Sequence, residues 1–245
     1  MDVGGWLGGF DRALFKQLGI LPRQPDLAAL QPRIIHAHFG RGGALALPIA
    51  RRLGIPLVVT YHGGDATKDK HYRPQLLPTI YQRRTDWLKR EASAFICVSD
   101  FIRDRLLDRG FPPDKLKVIR YGVEIDSATE SIAPDDEPYA LFVGRFVEKK
   151  GIGHLLEAMR LLRAEGRALE LVLIGDGPHG EALRTQAAGL AGIRFIGWQD
   201  HHEVRQWMRG ALALCVPSVV SRAGDAEGLP NVVLEAMASG APVRV

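Results

Sequence analysis

The strongest constraint on this chain is a rhythm, in which short apolar runs of strand length alternate with segments that carry apolar residues at helical spacing. From Arg33 onward, Ile34–Phe39, Pro56–His62, Ser93–Ser99 and Leu116–Tyr121 read as strands. Helices are predicted between them over Leu45–Leu53, Gln75–Glu91 and Asp100–Arg109, the last capped by Ser99. The rhythm stops over residues 122–137, a polar, acidic, proline-bearing stretch that reads as a linker. It restarts with strands at Tyr139–Val143, Leu169–Ile174, Arg194–Ile196 and Leu212–Val216 and a stub at Pro242–Val245. Helices fall at Ile152–Leu162, Glu181–Ala188, near Glu203–Arg209 and after Pro230. Such alternation folds as βαβ units around a parallel sheet, with right-handed crossovers. The expected domains are residues 1–130 and 131–245, each Rossmann-like, with a ligand at the C-terminal strand ends in the cleft between them.

Composition narrows the partners. With 46% hydrophobic and 24% charged residues in 245, the chain is ordinary for a globular protein. Net charge is +4 and the sequence pI about 9.2. The cations are scattered rather than blocked, which argues against nucleic acid. Cys97 and Cys215 each sit in an apolar strand run, predicting buried thiols rather than a disulfide or a metal site. His201-His202 reads as a surface loop with no ligand pattern around it, so no metal is expected. Gly4-Gly5 and Gly8-Gly9 have no strand before them and do not read as a phosphate loop; residues 1–20 read as a frayed start. No apolar run is long enough to span a bilayer and no basic segment leads an apolar core, so a cytoplasmic setting is expected.

Chemistry concentrates near the C-terminus. Glu227-Gly-Leu-Pro-Asn-Val-Val-Leu-Glu235 sets one carboxylate before a helix and another just inside it, with Pro230 at the first helical position and Gly240 closing it. Pro230, Val233, Leu234 and Met237 predict a buried stripe, and Asn231 and Glu235 share another face. A helix start attracts phosphate, and ionised carboxylates accept from sugar hydroxyls, so the pattern fits a nucleotide-sugar. A glutamate pair alone would read as solvated surface. The loop Gly144-Arg145-x4-Lys150 adds a tight turn, a bidentate fork and a mobile ammonium at a strand end. His62 ends a strand in the first half and, alone, reads as a satisfied core histidine; His36 and His38 read as structural. Gly40-Arg-Gly42-Gly43-Ala44 approaches a dinucleotide fingerprint but lacks its last glycine and the acidic residue downstream.

Gly-Arg-x4-Lys followed by Glu-x7-Glu, with Leu-Ile-Gly-Asp-Gly-Pro (173–178), Phe-Ile-Gly-Trp (195–198) and Val-Pro-Ser (216–218) between, resembles the retaining glycosyltransferases of family 4. His-Ala-His-Phe (36–39), Val-Val-Thr-Tyr-His-Gly (58–63) and Val-Ser-Asp-Phe-Ile (98–102) look like the acceptor half of bacterial exopolysaccharide transferases of the colanic-acid type. The likeness runs over about residues 33–245. It implies the GT-B fold, two Rossmann-like parallel-sheet domains facing each other across a cleft. Arg145 and Lys150 would hold the diphosphate of a UDP- or GDP-linked sugar and stabilise the leaving charge. Glu235 would bind ribose, Glu227 the transferred sugar, and the N–H groups of Gly228, Leu229 and Asn231 sugar and phosphate. Gly144 would turn the phosphate-facing loop, Gly197 would approach the base, and His62 would face the sugar. The implied reaction is transfer to a saccharide or lipid-linked acceptor with retention of configuration. It needs no metal, and the absence of any Asp-x-Asp triplet agrees.

Against the family pattern, the first half offers four strands without the usual glycine-rich loop, and the second half stops early. The resemblance therefore implies a chain cut at both ends and a poor enzyme, the alternative being a truncated or degenerate, non-catalytic nucleotide-sugar-binding protein. Tyr81–Arg90 places four cations and two aromatics on one helix, which suggests peripheral contact with an anionic inner-membrane surface.

Overall fold

The four apolar runs of the first half pair side by side, as buried parallel strands do. They are β1 (Ile35–His38), β2 (Leu57–Tyr61), β3 (Ala94–Cys97) and β4 (Leu116–Val118), in the order β1-β2-β3-β4. The structure is a computed structural model that describes residues 27–68, 80–125 and 138–245. Its two units are Met1–Arg120 and Tyr121–Val245. The expected boundary at 130/131, most of the linker, the glycine-rich start and residues 75–79 of the second predicted helix lie outside the described residues.

In the first unit, α1 (Phe39–Leu53), α2 (Ile80–Glu91) and α3 (Asp100–Leu107) connect the strands. Ser99 caps α3 as predicted, accepting from the Ile102 N–H at 3.3 Å. The helix α1 begins six residues before its predicted start and absorbs Gly40–Gly43. A Cβ on Gly43 would meet Val59 at 2.7 Å, and one on Gly40 would meet the Tyr81 and Tyr61 rings at 2.7 and 2.8 Å. These glycines let the helix lie close on β2, so the near-fingerprint is a packing surface rather than a nucleotide loop. Cys97 is buried in β3, which pushes its thiol up to about 11.

The second unit holds β5 (Tyr139–Val143), β6 (Glu170–Ile174), β7 (Ile193–Gly197), β8 (Ala213–Cys215) and β9 (Val243–Arg244), parallel in the order β7-β6-β5-β8-β9. Its helices are α4 (Ile152–Ala164), α5 (Gly180–Gln186), α6 (His201–Gly210) and α7 (Asn231–Ala238). Successive side chains of β5 feed opposite faces: Tyr139 and Leu141 pack with Met208, Leu214 and Ala236, while Ala140 and Phe142 pack with Leu156 and Leu173. Burial on both faces explains the unbroken apolar run. Strand order reverses between β5 and β8, and open α/β sheets bind ligands at such a switch point, outside the C-terminal strand ends.

Three expectations are corrected here. His201 and His202 open α6 rather than a loop, because Asp200 caps that helix in a reciprocal box with Glu203. Asp200→Ala is expected to cost about 1 kcal/mol, seen as a midpoint several degrees lower in thermal unfolding. Pro230 is the N-cap of α7 rather than its first helical residue. The buried stripe is also displaced: Val232, Val233 and Ala236 face the core, and Met237 is 66% exposed. Ala236 is the contact that lets α7 approach the sheet, and its position sets the helix phase. Gly240 follows the Ser239 C-cap at φ 78, as predicted.

Candidate functional site

The loops after β5 and β8 flank the switch point, and between them they carry most of the residues singled out from the sequence. Gly144 and Arg145 follow β5, and a single turn of helix, Glu148–Lys150, then directs two ammonium groups toward the loop after β8. Lys150 Nζ lies 3.4 Å from Glu227 Oε1. Lys149 Nζ lies 3.2 Å from the same oxygen and donates to Asp225 Oδ1 at 3.2 Å. All four side chains are largely buried, between 15% and 21% exposed. The backbone ties the loops together as well: Val219 N–H donates to Lys149 O at 2.8 Å and Arg222 N–H to Glu148 Oε1 at 3.0 Å.

Glu227 runs through Gly228, Leu229 and Pro230 into Asn231, the first residue of α7. Pro230 has no side-chain acceptor to offer the first-turn N–H groups. Glu235 sits half-buried one turn further along, on the same side of the helix as exposed Asn231. A pocket of about 400 Å³ beside Glu227 is walled by Val216, Val219, Ala226, Pro230 and Val233. Ser218 lines it too, and its hydroxyl, like Glu227 Oε1, is buried with no hydrogen-bond partner; the two lysines approach Glu227 as charges without bond alignment. Arg145 is exposed, and neither it nor Glu235 forms an ion pair among the described residues. Gly197 ends β7 at φ 87, its carbonyl accepting from the Gly175 N–H at 2.8 Å, with Trp198 beside it 77% exposed. That puts it at the same strand-end edge as Gly144.

His62 follows β2 in the first unit and is half-buried. His36 and His38, read from the sequence as structural, are both exposed, and each has a side-chain partner. His38 Nδ1 lies 2.9 Å from His62 Nε2, and His36 Nε2 lies 2.7 Å from Thr60 Oγ1. Phe39 tilts against the His62 ring at φ 64, a strained conformation for a bulky residue. Asp65 holds this corner: Oδ1 accepts from the His62 and Gly63 N–H groups at 3.2 and 3.0 Å, and Oδ2 from Gly40 N–H at 3.1 Å. Partial burial holds the His62 imidazole below its ordinary value, Asp65 opposing and His38 and His36 assisting. Burial, then His38, lowers His36. The folded state therefore binds fewer protons than the unfolded one between the lowered value and the ordinary 6.5, and stability rises with pH through that window. Urea unfolding is expected to show a weaker fold at pH 5 than at pH 7, with a smaller difference in His62→Gln.

Lys149, Asp225 and Asp65 were not singled out from the sequence, and His38 was read only as structural. Asp225 and Glu227 beside a Lys-Lys pair was the available signal. Among the described residues no group of three or more His, Cys, Asp or Glu side chains is arranged to hold a metal.

Comparison with known proteins agrees with this architecture. Residues 6–127 match the family model described as Glycosyltransferase Family 4, and residues 137–243 the model described as Glycosyl transferases group 1. A putative colanic acid biosynthesis glycosyltransferase of Salmonella typhimurium is 34% identical over 218 residues, 84% of this chain and 51% of that protein. The amylovoran biosynthesis glycosyltransferase of Erwinia amylovora is 29% identical over 220 residues, 86% of this chain and 52% of its own. The chain thus spans about half the length of the curated relatives it matches. Among solved structures, Anabaena HepE in complex with UDP superposes with a TM-score of 0.69 at 20% identity, over 88% of this chain and 60% of that one. With two family models covering nearly all of the sequence and two parallel-sheet units of matching fold, the chain belongs to the family 4 glycosyltransferases and has the GT-B fold.

Proposed function

We propose that this chain binds a nucleoside-diphosphate sugar at the switch point of its second unit and transfers the sugar, with retention of configuration, during synthesis of a cell-surface polysaccharide. The observation that carries the reading is the convergence of Lys150 and Glu227 at 3.4 Å beside the uncapped start of α7, in a partly apolar pocket. Cations and a helix start would stabilise the departing diphosphate, and Glu227 and Glu235 would accept from sugar and ribose hydroxyls. Gly144 turns the chain toward the phosphates, Gly197 leaves room for the base, and the N–H groups of Gly228, Leu229 and Asn231 serve the donor. Arg145 would join the phosphates, and His62 would serve the transferred sugar. The relatives named for colanic acid and amylovoran biosynthesis and the UDP complex of HepE support the donor and pathway class.

The acceptor is assigned as a saccharide or lipid-linked saccharide, and the setting as cytoplasmic, at the inner membrane face. No described helix is long and apolar enough to cross a membrane. On α2, Arg83, Trp87 and Arg90 are exposed and are the candidates for lipid contact, whereas the half-buried Arg84 and Lys89 donate to the carbonyls of Ala44 and Arg109.

A donor screen tests the reading: UDP- and GDP-sugars are incubated with lipid-linked and free saccharide acceptors, and products are followed by mass spectrometry and anomeric NMR. The expected result is glycoside product with the donor's anomeric configuration. An inverted product would overturn retention, and binding without turnover of any donor would favour a non-catalytic nucleotide-sugar-binding role.

A further inference from the structure

Resting on the donor-site reading, we infer that Lys149 is a positioning residue whose ammonium holds Glu227 and so releases Lys150 to the donor's diphosphate. Two ammonium groups converge on one carboxylate oxygen, Glu227 Oε1, at 3.2 and 3.4 Å. Only Lys149 has a second anchor, Asp225, at 3.2 Å. Its backbone carbonyl also accepts from the Val219 N–H, which joins its turn to the loop after β8. Lys150 has no second ion pair among the described residues, and it is the cation that can move.

The arrangement works as an exchange. A partly buried carboxylate left without a cation is costly, so Glu227 keeps whichever ammonium remains. With Lys149 present, Lys150 can turn to a phosphate while Glu227 stays paired and charged. Without Lys149, the one remaining cation is claimed by Glu227, and an arriving diphosphate must compete for it. Removing the charge of Glu227 as well abolishes that competition. The sign of the coupling therefore sets this role apart from simple loss of structure.

The probes are UDP, GDP and inorganic pyrophosphate, titrated by calorimetry into the intact chain. Lys149→Met is expected to weaken binding about tenfold, since coupling between close charge pairs commonly exceeds that equivalent. Glu227→Gln alone removes a contact assigned to the transferred sugar, which none of these probes carries, and is expected to tighten their binding by freeing Lys150. The double variant Lys149→Met, Glu227→Gln is expected to return to within about twofold of wild type, and Lys149→Arg to behave as wild type. If Lys149→Met binds normally, or if the double variant stays as weak as the single one, Lys149 is not the residue that frees Lys150. Failure of wild type to bind any of the three probes would instead remove the donor site on which the inference stands.

Discussion

Lys150→Ala is expected to lower donor turnover by about 10²–10³-fold, the loss that follows when one preorganised group facing a developing negative charge is removed. The lysine sits after a strand end at the switch point, largely buried, with an ammonium that contacts Glu227 and no other carboxylate among the described residues. Stability should barely move. Glu227 retains Lys149 at 3.2 Å after the substitution, and the lost pair is one of two on that oxygen. A thermal midpoint within a degree or two of wild type, with turnover down by at least a hundredfold, is the predicted pair of readings. A fall in midpoint with turnover intact would assign Lys150 to the fold rather than to the donor.

The second large effect is expected from Gly151→Ala. Gly151 has φ 64, and a Cβ there would lie 1.9 Å from the Pro217 carbonyl oxygen. The left-handed conformation alone costs about 1–2 kcal/mol for any residue with a side chain. The carbonyl must also give way, and it belongs to the loop that brings Asp225 and Glu227 to the lysines. A total of roughly 3 kcal/mol or more is expected, in line with severe overpacking. Loss of UDP or GDP affinity should accompany it, because the loops after β5 and β8 are forced apart. Gly54→Ala serves as control: it also has φ 64, but nothing lies within 4 Å of its would-be Cβ. Denaturant unfolding and nucleotide titration of both variants decide the matter, and equal losses at the two positions would contradict the account.

The strands were legible because parallel strands buried on both faces leave unbroken apolar runs, as at Leu171–Ile174. Helix boundaries were less so. The start of α1 was missed because Gly40–Gly43 has poor helix propensity, and tertiary contact with Val59 and Tyr61 overrides it. The stripe of α7 was misplaced by counting Pro230 as helical and preferring large residues, when the close approach to the sheet is made by Ala236. Lys150 was legible from its motif, whereas Lys149 was not. Adjacent residues usually diverge, and here a tight turn, Glu148–Lys150, brings both ammonium groups to one carboxylate. The histidine corner depended on strand pairing: His38 pairs with Thr60 in register, which carries His62 alongside it. Pattern alone does not reveal which strands are neighbours.

The central claim is that the β5 and β8 loops form a site for a nucleoside diphosphate. Calorimetric titration of the intact chain with UDP and with GDP tests it most directly, alongside Arg145→Ala and Lys150→Ala and with EDTA present throughout. The account predicts saturable binding of at least one nucleotide, weakened in both variants. Absence of binding to either nucleotide at millimolar concentration, or binding unchanged in both variants, would contradict it.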